Sequence, residues 1–265
     1  DYYGADIYKS PFDGSTLSDI NGWVKENTDG MIPEILDSIP KEAVMYLVNA
    51  LAFDAEWADM YEKHQVREGT FTKEDGTEQD AEFMYSAEKT YLEDENAVGF
   101  MKYYSGRKYA FVALLPNEGI SLSEYLEGLD GEALNKLLCN PKYTPVNAAI
   151  PKFETEFEIE MSETLIKMGM PAAFDGNRAD FTDLGIYNSG KNNIYISRVL
   201  HKTFVSVGEK GTRAGAATVV EMVKNTSISI NTPKEVYLDR PFVYMLVDCE
   251  NNIPFFIGVM SDIEK

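Results

Sequence analysis

Histidine and cysteine are almost absent from this chain. Its 265 residues include two histidines, His64 and His201, and two cysteines, Cys139 and Cys249. Two thiols make neither a disulfide framework nor a Cys-rich metal site. Cys139 follows Leu137 and Leu138 and is expected to be a buried thiol. There is no G-x-S-x-G elbow, no H-E-x-x-H pair and no G-x-x-x-x-G-K-[ST] loop, so the usual local signatures of hydrolases, metalloproteases and nucleotide binders are missing. His201 as a general base lacks a nucleophile marked by local sequence. No enzyme, no cofactor and no metal site is expected. Basic charge is also scarce, 24 Lys+Arg against 44 Asp+Glu for a formal charge of -20, which argues against nucleic acid and anionic membrane surfaces as partners. No run approaches the roughly 20 apolar residues of a spanning helix. The chain starts at Asp1 with neither Met nor a signal-like apolar stretch, a start expected of a processed, truncated or engineered chain.

What is present suffices for a large core, since 44% of residues are hydrophobic and 12% aromatic. The length suits one large domain or two small ones. Helical and strand periodicities both occur along the chain. Residues 2–8 read as a strand, and Leu17, Ile20, Trp23 and Val24 as one face of a helix ended by Asn27 and Gly30. Residues 43–53 form an apolar run short enough for a buried strand, and Asn49 inside it must find a hydrogen-bond partner. Residues 63–80 are polar, with Glu74, Asp75 and Gly76 as a hairpin tip. Strand-like pieces follow at 101–104 and 109–115, then short helices carrying Leu122, Tyr125, Leu126 and Leu129 and carrying Leu134, Leu137 and Leu138. Residues 146–159 alternate; Met161, Leu165 and Met168 mark a helix face that Gly169 stops. Three closing strands are expected at 235–242, 243–248 and 253–259, with a turn at Asn251 and Asn252.

The most unusual stretch is 208–220, which follows a strand-like run at 195–207. In an extended chain, alternate residues face opposite ways. One parity holds Thr212, Ala214, Ala216, Thr218 and Val220, small and nearly apolar; the other holds Arg213, Gly215, Ala217 and Val219. The first set could slide beneath a covering layer, and the glycines let the backbone bend. A flexible linker or a short Ala-rich helix is the alternative, because Ala favours helices over strands.

Glu209, Lys210, Gly211 and Thr212 before that Ala/Gly run, then Arg240, Pro241, Phe242 and Val243, then Phe255, Phe256, Ile257 and Gly258, resemble the reactive-loop hinge and C-terminal strands of the serpins, the serine protease inhibitor superfamily, here of a prokaryotic type. The resemblance follows nearly all 265 residues. It implies the α+β serpin fold: a large central mixed β-sheet, second and third sheets, helices and a mobile reactive loop at about 209–234, all in a single domain over 1–265. It also implies a chain incomplete at its N-terminus, matching the C-terminal two thirds, so that a missing N-terminal serpin segment is itself an expected partner.

The function implied is inhibition of a serine endopeptidase as a suicide substrate, through cleavage of the loop and its insertion into the main sheet. The hinge would comprise Glu209, Gly211, Thr212, Ala214, Gly215, Ala216, Ala217 and Thr218. Asn49 and His201 would lie together as a polar latch where the sheet parts. Trp57, Lys152 and Glu209 would mark the place where the loop enters, with Lys152 paired to Glu209. Family spacing from Glu209 puts the reactive bond between Asn225 and Thr226; Met222, Val223, Lys224 and Ile230 are alternatives. The partner is a target serine protease, elastase-like, subtilisin-like or trypsin-like, and the location extracellular or at the cell surface. Arg213 departs from the family, which usually has Glu there. A non-inhibitory serpin or a binding fragment is a second reading. An acidic hydrolase or surface-binding module with an Ala-rich lid is a third, from a different class.

Overall fold

The computed structural model describes residues 5–185, 194–212 and 232–263. The chain divides into two compact units, Asp1–Ala52 with Glu156–Val205 and Phe53–Thr155 with Ser206–Lys265.

In the first unit the helix Gly14–Asn27 starts at a reciprocal cap. Asp13 Oδ1 accepts from the Ser15 amide at 2.9 Å, and Thr16 Oγ1 accepts from the Asp13 amide at 3.2 Å, so donors left over by the first turn are satisfied. Asp29 (φ 54°) and Gly30 (φ 75°) reverse the chain after the helix. Asn21 then ties the returning segment down: its Oδ1 accepts from the Ile35 and Leu36 amides at 3.0 and 3.1 Å, and its Nδ2 donates to Leu36 O at 2.7 Å. Val24, Ile32, Ile35, Leu36 and Leu200 form the core of this unit, with Leu17, Ile20, Trp23, Tyr46, Val48 and Phe204 against it. Each large side chain fully buried there stabilises by about 1.5–3 kcal/mol. The strand Tyr46–Ala52 pairs in parallel with Arg198–Gly208, from Tyr46 opposite Arg198 to Ala52 opposite Phe204. The strand expected at 2–8 does not form in its described part: residues 5–8 have no regular structure, and Ile7 and Tyr8 are 75% and 71% exposed. Extended backbone becomes a strand only against a ladder partner.

The second unit contains two further sheets. One is antiparallel, in the order Ile253–Met260, Phe242–Asp248, Tyr109–Pro116, Ala97–Tyr103, Thr90–Glu93. The helices Leu122–Gly128 and Gly131–Cys139 contribute Leu122, Tyr125, Leu137 and Leu138 to a core shared with Met101, Val112, Leu114, Val243, Met245 and Val247. Their caps are local: Ser121 Oγ accepts from Glu124 N at 3.1 Å and Asp130 Oδ1 from Ala133 N at 2.8 Å. Cys139 is exposed, contrary to expectation. A helix turns about 100° per residue, so the position after the Leu137 and Leu138 pair leaves the core-facing stripe. The other sheet runs Lys234–Tyr237, Val146–Pro151, Glu78–Glu88, Val66–Thr72. Its hairpin closes over Asp75, whose Oδ1 accepts from Thr77 N at 2.9 Å, and Gly76 at φ 83°.

Candidate functional site

In the second unit the chain reverses in a two-residue hairpin at Glu209 and Lys210. Gly208 then faces Gly211, and Val207 faces Thr212, antiparallel. On its other side the Gly211–Thr212 ribbon pairs with Ala55–Glu56, Gly211 against Glu56 and Thr212 against Ala55. The two-residue ribbon Gly211–Thr212 therefore has a paired strand on each of its edges, as in the interior of a sheet. Gly211 is required by space: a Cβ there would collide with Ala55 O and lie 2.8 Å from Glu56 Cα. Thr212 is fully buried.

Trp57 closes this end. Its indole Nε1 donates to Gly208 O and its amide to Lys210 O, both at 2.8 Å, while the Tyr61 amide donates to Glu209 O at 3.0 Å. The Trp57 ring stacks on Tyr104 with centroids 4.4 Å apart and planes 12° apart. The Tyr104 hydroxyl lies 2.5 Å from Thr212 Oγ1. Lys102, buried, sits 5.4 Å from the Trp57 ring and 4.3 Å from the Tyr61 ring, its Nζ 2.9 Å from Glu88 Oε1. Burial raises the Tyr104 hydroxyl far above the ordinary phenol range, so it stays protonated and able to donate. Tyr104, Lys102 and Glu88 carried no signal in the sequence, because what joins them to the hinge is proximity across strands.

Lys152 and Glu209 do meet, Nζ to Oε1 at 2.6 Å, and Glu82 is a second partner at 3.1 Å. Burial opposes the charge on Lys152, but its bonds to Glu209 and Glu82 outweigh that and raise its pKa. The bond from Lys152 holds the Glu209 carboxyl below its usual range.

In the first unit Asn49 and His201 are register partners on the parallel strands. Their side chains meet, His201 Nδ1 to Asn49 Oδ1 at 2.9 Å. Asn49 is exposed and His201 half-buried, and burial lowers the imidazole pKa. On the same strand the buried Lys202 ammonium is paired with Glu156 at 2.6 Å and Glu158 at 3.2 Å.

The structure thus brings together Asn49 with His201, Lys152 with Glu209, and Trp57 with the backbone around Glu209. Arg213, Ala214, Gly215, Ala216, Ala217 and Thr218 lie outside the described residues, as do Met222, Val223, Lys224, Asn225, Thr226 and Ile230. Among the described residues no helix is long and apolar enough to cross a membrane. Among them, too, no group of three or more His, Cys, Asp or Glu could hold a metal ion.

A family model described as serpin (serine protease inhibitor) matches residues 1–263. The chain is 31% identical over 266 residues to an uncharacterized serpin-like protein of Thermococcus kodakarensis, covering 99% of this chain and 61% of that one. It is 30% identical over 273 residues to Serpin B10 of Bos taurus, covering 97% of this chain and 66% of that one. The fold is similar to the native-state crystal structure of Tengpin, a thermophilic serpin: TM-score 0.90, 51% identity, 99% of this chain and 67% of that one. Against the latent state of Tengpin the TM-score is 0.80 at 47% identity, over 99% of this chain and 69% of that one. The chain spans about two thirds of the length of these relatives.

Proposed function

Because this chain belongs to the serpin family and has the serpin α+β fold with three sheets, we propose that it is part of a serine-protease inhibitor that works by loop cleavage and insertion. The observation that carries the reading is the ladder on both edges of Gly211–Thr212. A ribbon already lies between Val207–Gly208 and Ala55–Glu56, and the residues that follow it in sequence with the same parity, Ala214, Ala216 and Thr218, are small enough to continue it.

In this reading the protease serine attacks one carbonyl carbon in the loop, between Asn225 and Thr226 by spacing. An ester forms to the N-terminal side, and the amine of the next residue leaves carrying the proton. The freed segment then extends the Gly211–Thr212 ribbon before water reaches the ester. About ten residues entering the sheet gain ladder bonds of about 0.5–1.5 kcal/mol each, plus side-chain burial. That sum is comparable with the whole stability of a domain, about 5–15 kcal/mol, enough to displace and distort an attached enzyme. The Asn49 and His201 contact serves as the latch, and Trp57 with the Lys152 and Glu209 pair marks the place where the loop enters. Inhibition is proposed for a chain that also carries the third by which its relatives exceed the matched region.

Incubation with elastase, subtilisin and trypsin tests this. A complex that survives boiling in detergent is expected with at least one of them, and sequencing the released N-terminus locates the bond. Clean loop cleavage with every enzyme would move the chain to the non-inhibitory serpins.

A further inference from the structure

The hydroxyl of Tyr104 and that of Thr212 meet at 2.5 Å in a place with almost no access to water: Tyr104 is 1% exposed and Thr212 0%. Thr212 lies between register neighbours Val207 and Ala55 on its two edges, so this bond is an additional, side-chain selection of which residue occupies the slot. The Tyr104 ring cannot follow Thr212 outward. Its face lies on Trp57, its edge meets Phe53 at 5.0 Å, and its amide donates to Tyr109 O at 3.0 Å. Trp57 is fixed in turn by Gly208 O and by Lys102, whose Nζ also donates to Asp59 O at 3.1 Å.

We infer that Tyr104 is a positioning residue that seats the hinge: it holds Thr212 inside the sheet before any cleavage, and the loop gains those two residues of reach only when the seat is vacated. The inference rests on reading 209–234 as the inserting loop. The physical basis is the asymmetry of a buried hydroxyl pair. Removing one partner strands the other without water or a substitute, whereas removing both for groups of the same shape is nearly neutral. Tyr104→Phe keeps the stacked ring and loses the oxygen. Thr212→Val keeps the shape and loses the hydroxyl. Thr212→Ser keeps a hydroxyl at the same position.

Amide hydrogen exchange over 207–212, read beside urea unfolding of the whole protein, tests this. Tyr104→Phe and Thr212→Val each raise the opening equilibrium at Gly211 and Thr212 by about tenfold. The Tyr104→Phe/Thr212→Val double variant returns to within about threefold of the parent, and Thr212→Ser stays close to it. Unchanged exchange in the single variants overturns the inference, and so does a double variant as open as either single one. So does an equal rise at every slow amide, which would make the bond a general contributor to stability and not a seat. If Tyr104→Phe fails to fold, Thr212→Val and Thr212→Ser still probe the bond from its other side. No protease enters the measurement, so a failure here and a failure to trap a protease are separate results.

Discussion

Tyr46–Ala52 lies directly against Arg198–Phe204, residue for residue over seven register positions. A few residues further along the same two segments, Ala55–Glu56 and Val207–Gly208 no longer meet each other, and each pairs instead with Gly211–Thr212. The first stretch sets Tyr46, Leu47, Val48 and Leu51 opposite Arg198, Val199, Leu200 and Thr203, and joins Asn49 to His201 through their side chains. The second sets Ala55, Gly208, Gly211 and Thr212, with Glu56 and Val207, beside one large aromatic stack. Close-packed bulky pairs keep two strands together, whereas glycine and alanine let a third backbone approach. In the separated region a third backbone lies where Ala55, Gly208 and Gly211 leave room for it.

The strongest way to break the comparison is to put charge in the separated region. Thr212→Arg places an unpaired cation where nothing is exposed, at a cost of about 3–5 kcal/mol against entry. The loop should still be cut, but detergent-stable complex should disappear and cleaved monomer accumulate. A full-strength complex would show that the slot is not the route of insertion. Gly211→Ala is the next largest. Its methyl meets the Ala55 and Glu56 backbone, and overpacking of that kind costs about 1–3 kcal/mol. It should lower the urea midpoint and shift Trp57 fluorescence, while Gly22→Ala, where a Cβ meets nothing within 4 Å, should do neither.

The smallest effect separates the two regions by pH. Burial keeps His201 below the ordinary imidazole range, so the unfolded chain binds that proton more readily than the folded one. Stability therefore falls as pH drops from neutral through about 6.5, and the loss levels off below the folded pKa. Glu209, held down by Lys152, contributes stability above the unfolded carboxylate value of about 4.3, and this is lost as pH falls below it. Both groups are open to solvent, which screens them, so each limb should amount to less than about 1 kcal/mol. Urea midpoints from pH 8 down to about pH 2 should show that His201→Gln flattens the upper limb and leaves the lower one in place. Loss of both limbs together would mean that the two regions do not titrate independently.

Some of this was legible locally. The helix faces Leu17, Ile20, Trp23 and Val24, and Leu134, Leu137 and Leu138, follow from spacing alone, whereas the caps Asp13, Ser121 and Asp130 came to light only in the structure. Strand parity put Thr212 on the face that would be covered, and Thr212 is buried; Ala214 and Ala216, of the same parity, lie outside the described residues. The adjacency of Asn49 with His201 and of Lys152 with Glu209 came from family resemblance, since nothing near either residue names its partner. Cys139 was misread because two leucines before it suggested burial, while the helix had already turned past its core stripe.

What the chain determined unaided is a set of short-range choices: which residues share a helix face, which strand faces are apolar, and which segment is made of small residues. Register and stacking were decided only by the fold. Tyr104 meets Thr212, and Lys102 meets Trp57 and Glu88, because strands distant in sequence come side by side. Such contacts depend on the summed packing of whole sheets, and no single residue or window encodes that sum.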